Sequence, residues 1–137
     1  MNEQQAERLI PATMQALRTV LLDPAALPDW NPAIRTIAAG HHAETGVRHR
    51  VTALAGLSGH LEYLEIGERR ITVHLEVQGM REDGWWQLTP QRSGTRVEHG
   101  FAHGGPLARL LSGPYRGVAQ LRLQRLDERV RAVSPSP

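Results

Sequence analysis

The sequence has no cysteine and no lysine. The first absence excludes disulfides, thiolate metal sites and cysteine nucleophiles together. The second means that all 16 basic side chains are arginine, scattered among 14 acids with no basic run longer than Arg69-Arg70. The sequence pI of about 9.9 therefore accompanies a formal charge of only +2, because a guanidinium keeps its proton to very high pH. Aromatic residues are scarce: three Trp, two Tyr and one Phe. A nucleic-acid partner is not expected, since that role needs a clustered basic footprint and usually aromatic platforms. No apolar run approaches the roughly 20 residues of a membrane span. Met1 is followed by Asn2-Glu3-Gln4-Gln5, not by a basic leader. The expectation is a soluble cytoplasmic protein.

What is present is ordinary globular composition. The chain has 137 residues, 40% hydrophobic and 22% charged. Such a chain buries roughly 70% of its unfolded surface and needs no staple. One domain is expected over residues 1–133, with Ser134-Pro135-Ser136-Pro137 as a disordered tail.

The patterning changes twice along the chain. Residues 1–10 are polar and end in Arg8-Leu9-Ile10, which reads as a short edge strand. Met14, Leu17, Val20, Leu21 and Leu22 fall at helical spacing and predict a short amphipathic helix from about Thr13. Asp23-Pro24 reads as an N-cap followed by a first-turn proline, opening a second short helix that stops between Pro28 and Pro32. From Ala33 to His103, short segments alternate between turn signals at Gly40, Gly46, Gly56 to Gly59, Gly67, Asp83-Gly84 and Ser93-Gly94. Val47, His49, Val51 and Ala53 share one face, as do Ile71, Val73, Leu75 and Val77, then Trp86 and Leu88, then Val97, His99 and Phe101. Period-two alternation with one polar face predicts about six antiparallel strands covered on one side. Leu107, Leu110, Leu111, Pro114, Val118, Leu121, Leu126, Val130 and Val133 then form a helical stripe, broken or kinked at Gly113-Pro114.

The predicted class is α+β: a curved antiparallel sheet of six to seven strands wrapped around a long C-terminal helix, with two short helices after the first strand. One helix covers one concave face. A curved sheet leaves a gap beneath such a helix, and a gap lined by apolar side chains binds an apolar ligand.

The motifs point the same way. Leu21-Leu22-Asp23-Pro24-Ala25-Ala26-Leu27-Pro28-Asp29-Trp30-Asn31-Pro32, the glycine-led Gly46-Val47-Arg48-His49-Arg50, and Leu88-Thr89-Pro90 followed by Ser93-Gly94-Thr95-Arg96-Val97 occur in that order. Together they resemble the START-like or Bet v 1-like (SRPBCC) superfamily, with its helix-grip fold, over nearly the whole chain. The branch they resemble is the polyketide cyclase/dehydrase and lipid-transport type. The resemblance implies a deep pocket and no shared catalytic constellation. The chain departs from the pattern in its barely sufficient first strand and in Gly113-Pro114 and Gly117 within the terminal helix.

Candidate chemistry rests on histidine, whose pKa near 6.5 suits acid/base work. His99 and His49 fall on the faces expected to meet the helix, and Tyr63 and Tyr115 offer phenolic hydrogen bonds. The candidate catalytic set is His99, His49 and Tyr63. The candidate ligand wall is Trp30, Val51, Val73, Leu75, Trp86, Leu88, Val97 and Phe101 from the N-terminal segment and the strands, and Leu111, Tyr115 and Val118 from the terminal helix. Each has a plainer reading as core. His74 alternates against its apolar neighbours and is expected at solvent, and Trp85 is expected to be exposed or edge-packed, where self-association as a homodimer is an option. His99 and His103 lie about 13 Å apart along a strand and do not chelate one ion. No metal and no cofactor are expected. Gly56-Leu57-Ser58-Gly59-His60 lacks the G-x-S-x-G spacing of a nucleophile elbow. The expected partner is a small hydrophobic or aromatic molecule. Function is read as binding in an internal cavity, with polyketide cyclase or dehydratase chemistry, a lipid or quinone carrier or sensor, and a protein-interaction module as the competing versions.

Overall fold

Polar β1 (Asn2–Ile10) is the longest departure from expectation. It pairs with its neighbour without a break from Asn2 opposite His103 to Ile10 opposite Thr95. Its sequence hides this because polar side chains do the work that apolar ones do elsewhere. Gln4 donates to the Tyr115 carbonyl and accepts from the Ala119 amide, and Arg8 binds Asp127 at 2.8 Å. The computed structural model describes residues 2–133; the expected C-terminal tail lies outside them.

Helix α1 (Met14–Leu21) starts as predicted, with the Thr13 hydroxyl accepting from the Ala16 amide at 3.1 Å. A 3-10 turn (Pro24–Ala26) and α2 (Leu27–Trp30) follow. Asp23 does not cap that turn with its side chain; its carboxylate meets His41 Nδ1 at 2.9 Å instead. Six strands come next: β2 (Ile34–Ile37), β3 (Arg48–Ala53), β4 (Ser58–Ile66), β5 (Arg70–Val77), β6 (Met80–Gln91) and β7 (Gly94–Gly104). The sheet is antiparallel throughout, in the order β1-β7-β6-β5-β4-β3-β2. Helix α3 (Val118–Val133) crosses its inner face.

Two expectations change. Asp83-Gly84 is not a turn but the middle of β6, with Gly84 opposite Val73 on one side and Phe101 on the other. The real turn is Gln78-Gly79, where Gly79 has φ +80° and Leu107 packs so close that a Cβ would meet its Cγ at 2.6 Å. The terminal helix begins at Val118, not at Leu107. Residues 105–117 form successive turns, because Gly113-Pro114 and Gly117 interrupt the ladder. Leu111 and Tyr115 are still buried there, whereas Leu110 is 75% exposed. Of the two arrangements expected for Trp85, the packed one is found: it is half-buried on the outer face. Its ring lies against Gly100, where any Cβ would meet it at 2.6 Å, and the Arg70 guanidinium covers it at 4.9 Å.

Tyr63 faces in by plain alternation with Leu61, opposite Val73. The β4–β5 register slips only beyond it, between Tyr63 and Glu65, where Leu64 is exposed. No helix among the described residues is long and apolar enough to cross a membrane.

Candidate functional site

Rows of inward side chains cross the sheet. Leu75, Glu82 and His103 make one row; Val73, Gly84 and Phe101 the next; Ile71, Trp86 and His99 a third. Helix α3 lays Val118, Arg122, Leu126 and Val130 over them at intervals of four. Arg122 thus sits in the middle of an apolar stripe and is only 2% exposed.

A charge so placed must be paired. The guanidinium meets both oxygens of Glu82, Nη1 to Oε2 at 2.8 Å and Nη2 to Oε1 at 3.1 Å. Its Nε donates to Asn31 Oδ1 at 3.1 Å, and Nη1 donates also to His99 Nε2 at 3.2 Å. The Phe101 ring lies 4.9 Å from its central carbon. His103 donates from Nε2 to Glu82 Oε1 at 2.9 Å.

Each protonation state follows from these partners. Burial raises the Glu82 carboxyl, but Arg122 and His103 outweigh it and bring it to about 2. His99 is pulled the other way: burial first, then the Arg122 charge, lower it to about 3 against the opposing effect of the Trp85 carbonyl and Glu82. Nδ1 of His99 lies 2.9 Å from that carbonyl, which only accepts, so the proton is on Nδ1 and the Nε2 lone pair faces Arg122. Trp86 stacks on the same imidazole at 3.7 Å. His99 is therefore held as a neutral acceptor.

Beside this network lies a cavity lined by Leu21, Leu27, Trp30, Asn31, Ile34, Leu61, Tyr63, Val73, Leu75, Glu82, Gly84, Trp86, His99 and Arg122. The helices α1 and α2 form one wall and strands β4 to β6 most of the other, with Ile34 of β2, His99 of β7 and Arg122 of α3 completing the lining. Its volume is about 30 Å³. Ligand pockets usually hold about 300 Å³ or more, so the expected hollow is nearly closed by the protein's own side chains. Two hydrogen bonds tie its walls together: Tyr63 Oη donates to the Leu21 carbonyl at 2.8 Å, and Arg122 reaches Asn31. Burial, and then the Asp23 charge, raise the Tyr63 phenol above its ordinary range.

Of the residues singled out from the sequence, Trp30, Tyr63, Val73, Leu75, Trp86 and His99 line this cavity. Val51, Leu88, Val97, Phe101, Leu111, Tyr115 and Val118 are buried core that does not line it. His49 is buried on the inner face opposite Leu61, outside the lining, and among the described residues its Nε2 has no hydrogen-bond partner. The Tyr115 hydroxyl is likewise buried and, among the described residues, unpartnered, while the residue lines a more open groove beside Gln4 and His103. Sequence reading missed Arg122 and Glu82. Both were findable: Arg122 is four residues from Val118 and from Leu126, and Glu82 alternates with Met80, Gly84 and Trp86.

The profile of the polyketide cyclase/dehydrase and lipid transport family matches residues 1–133. Solved structures share the fold across almost the full length. Protein CV1439 of Chromobacterium violaceum is 19% identical with a TM-score of 0.73, covering 94% of this chain and 96% of that one. TTHA0849 of Thermus thermophilus is 25% identical with a TM-score of 0.71, covering 97% and 99%. A START superfamily protein of Mycobacterium smegmatis is 16% identical with a TM-score of 0.72, covering 96% and 99%. No curated protein matches the sequence.

Proposed function

Because the chain belongs to the polyketide cyclase/dehydrase and lipid transport family, we propose that it binds a small, largely apolar molecule in the cavity between its sheet and its helices. The observation that carries this reading is the composition of the cavity wall. Apolar side chains of α1, α2 and β4 to β6 form most of it, and a fixed ion pair closes one end. An apolar ligand body fits the first part, and the second orients it.

At about 30 Å³ the cavity is too small for such a molecule and must open to admit it. Binding requires α1 and α2 to move off the sheet, with the Tyr63–Leu21 and Arg122–Asn31 hydrogen bonds as the ties to be released.

Between the enzyme and carrier versions, the geometry favours a carrier or sensor. Cyclase or dehydratase chemistry through His99, His49 or Tyr63 needs a group that exchanges a proton near neutrality and faces the ligand. His99 is held neutral down to about 3, Glu82 is held ionised down to about 2, and the Tyr63 hydroxyl already donates to Leu21. His49 lies outside the lining.

Titration with the apolar fluorophore N-phenyl-1-naphthylamine tests the proposal. One equivalent is expected to bind with enhanced emission. Val73→Phe, which adds bulk to the wall, is expected to abolish binding and preserve the fold. No saturable binding to the wild-type protein, or unchanged binding to the filled variant, rejects the site.

A further inference from the structure

The glycines inside the strands are of two kinds. Gly59, Gly94, Gly100 and Gly104 leave no room for a side chain. A Cβ on Gly59 would run into the Glu76 carbonyl oxygen, and one on Gly94 into that of Ile10. A Cβ on Gly100 would meet the Trp85 ring at 2.6 Å, and one on Gly104 the Arg81 guanidinium at 2.7 Å. Gly84, in the middle of β6, is different. A Cβ there would meet Glu82 Oε2 and the Gly100 carbonyl oxygen at 3.6 Å and Phe101 Cβ at 3.7 Å, which is ordinary van der Waals contact. Its φ is not left-handed. β6 pairs through it on both sides without a register shift, so no bulge requires it either.

A glycine in mid-strand weakens the strand. It loses more backbone entropy on folding than any other residue and has no side chain to pack. Neither conformation nor crowding demands one here, since an alanine fits. What the missing side chain provides is space on the inner face. Gly84 is buried, lies between Val73 and Phe101 across the sheet and between Glu82 and Trp86 along the strand, and lines the cavity. The other inward positions of β6 from Met80 to Leu88 all carry large side chains. One stretch of bare backbone therefore interrupts a filled row, and it does so at the cavity wall. A strand glycine of this kind marks the close approach of another group.

We infer that Gly84 is the specificity-determining residue of the cavity: the apolar body of the ligand rests on the bare β6 backbone at this position, beside Val73, and the side chain at residue 84 sets the largest ligand admitted. The inference rests on the binding reading above and adds to it the residue that selects by size. In the free protein the same gap stays nearly closed by the surrounding side chains, at about 30 Å³. Strand stability is thus given up at one position where the fold gains nothing from it and a ligand does.

The test combines thermal unfolding with fluorescence titration by two apolar probes of different size, naphthalene and N-phenyl-1-naphthylamine. Gly84→Ala is expected to unfold at a temperature equal to that of the wild-type protein or up to about 4 °C above it. It is expected to bind the larger probe about tenfold more weakly or worse, and the smaller one within about threefold of the wild-type affinity. Adding Val73→Ala, which removes bulk from the residue facing position 84, is expected to bring the larger probe back to within about threefold. A Gly84→Ala protein that unfolds at a lower temperature, or does not fold, shows that the glycine serves the bend of β6 and overturns the inference. Unchanged binding of the larger probe overturns it, as does equal weakening of both probes. Each of these outcomes leaves apolar binding by the wild-type protein standing. Binding of neither probe to the wild-type protein rejects the site itself, and the size limit with it.

Discussion

Adjacent residues on β6 build two histidine–carboxylate clusters on opposite faces of one sheet, and their environments drive them in opposite directions. Glu82 points in and meets Arg122 and His103. Asp83 points out and meets His74 Nδ1 at 2.6 Å, while Glu76 meets the other ring nitrogen at 2.9 Å. With a carboxylate at each nitrogen, both must donate, so His74 is held as imidazolium. Burial opposes that charge but the bonds from Asp83 and Glu76 outweigh it, and its pKa is raised. The inner His99 has a cation and no carboxylate in direct contact, and its pKa falls to about 3. The partner's sign and the depth of burial decide whether a histidine here is a charge or a fixed acceptor.

The most direct way to break the inner cluster is Glu82→Gln. It leaves Arg122 buried without a counterion, and a loss of about 3–5 kcal/mol is expected in chemical denaturation. The paired replacement Glu82→Leu with Arg122→Met removes both charges and is expected to recover most of that loss. A single variant as stable as the wild-type protein contradicts the buried pairing.

The pH response sharpens the contrast. His99 binds a proton in the unfolded chain near 6.5 but in the folded protein only at about 3. Its stabilising contribution is complete above pH 6.5 and is lost as pH falls from there toward 3. His74, with its raised pKa, contributes below 6.5 and loses that contribution as pH rises through its folded value. Nitrogen-15 spectra of the imidazoles are expected to show His99 as the neutral Nδ1–H tautomer at pH 5 and His74 doubly protonated at the same pH. Protonated His99 at pH 5 contradicts the inner network.

The two faces also differ in how far they were readable beforehand. The fold was legible because alternation in β3, β5 and β7 and the Thr13 cap are local signals. Val73, Leu75, Trp86 and His99 followed from strand faces and Trp30 from the motif it shares with Asn31-Pro32, and all five line the cavity. Two things were not local. β1 carries polar residues where an apolar face was sought, since Gln4 and Arg8 find their partners on or beside α3, more than 100 residues away. Asp83-Gly84 has turn composition but is paired on both sides, and reading it as a turn removed Glu82 from the inner row. Arg122 was hidden by its type: an arginine in an apolar stripe reads as a flaw in the pattern until its carboxylate is known. The size of the cavity depends on how side chains from α2 and β4 to β6 interdigitate, which no periodicity encodes.

A smaller effect is expected at the tie across the cavity. Tyr63→Phe removes the hydrogen bond to the Leu21 carbonyl and is expected to cost about 1 kcal/mol. If that bond holds the site shut, the same change speeds association of N-phenyl-1-naphthylamine in stopped-flow mixing. A slower or unchanged rate places the opening motion elsewhere.

The smallest expected effect is outside. Asp83→Asn leaves His74 with one carboxylate, so its pKa is expected to drop toward the ordinary value in a proton NMR titration. Stability changes little, within about 0–1 kcal/mol, because the Asp83 side chain is 56% exposed and water screens the pair. The inner and outer carboxylates are neighbours in sequence, so backbone position is nearly constant between the two experiments. A large loss from Asp83→Asn and a small one from Glu82→Gln reverses the assignment of strand faces on β6, and with it the cavity wall.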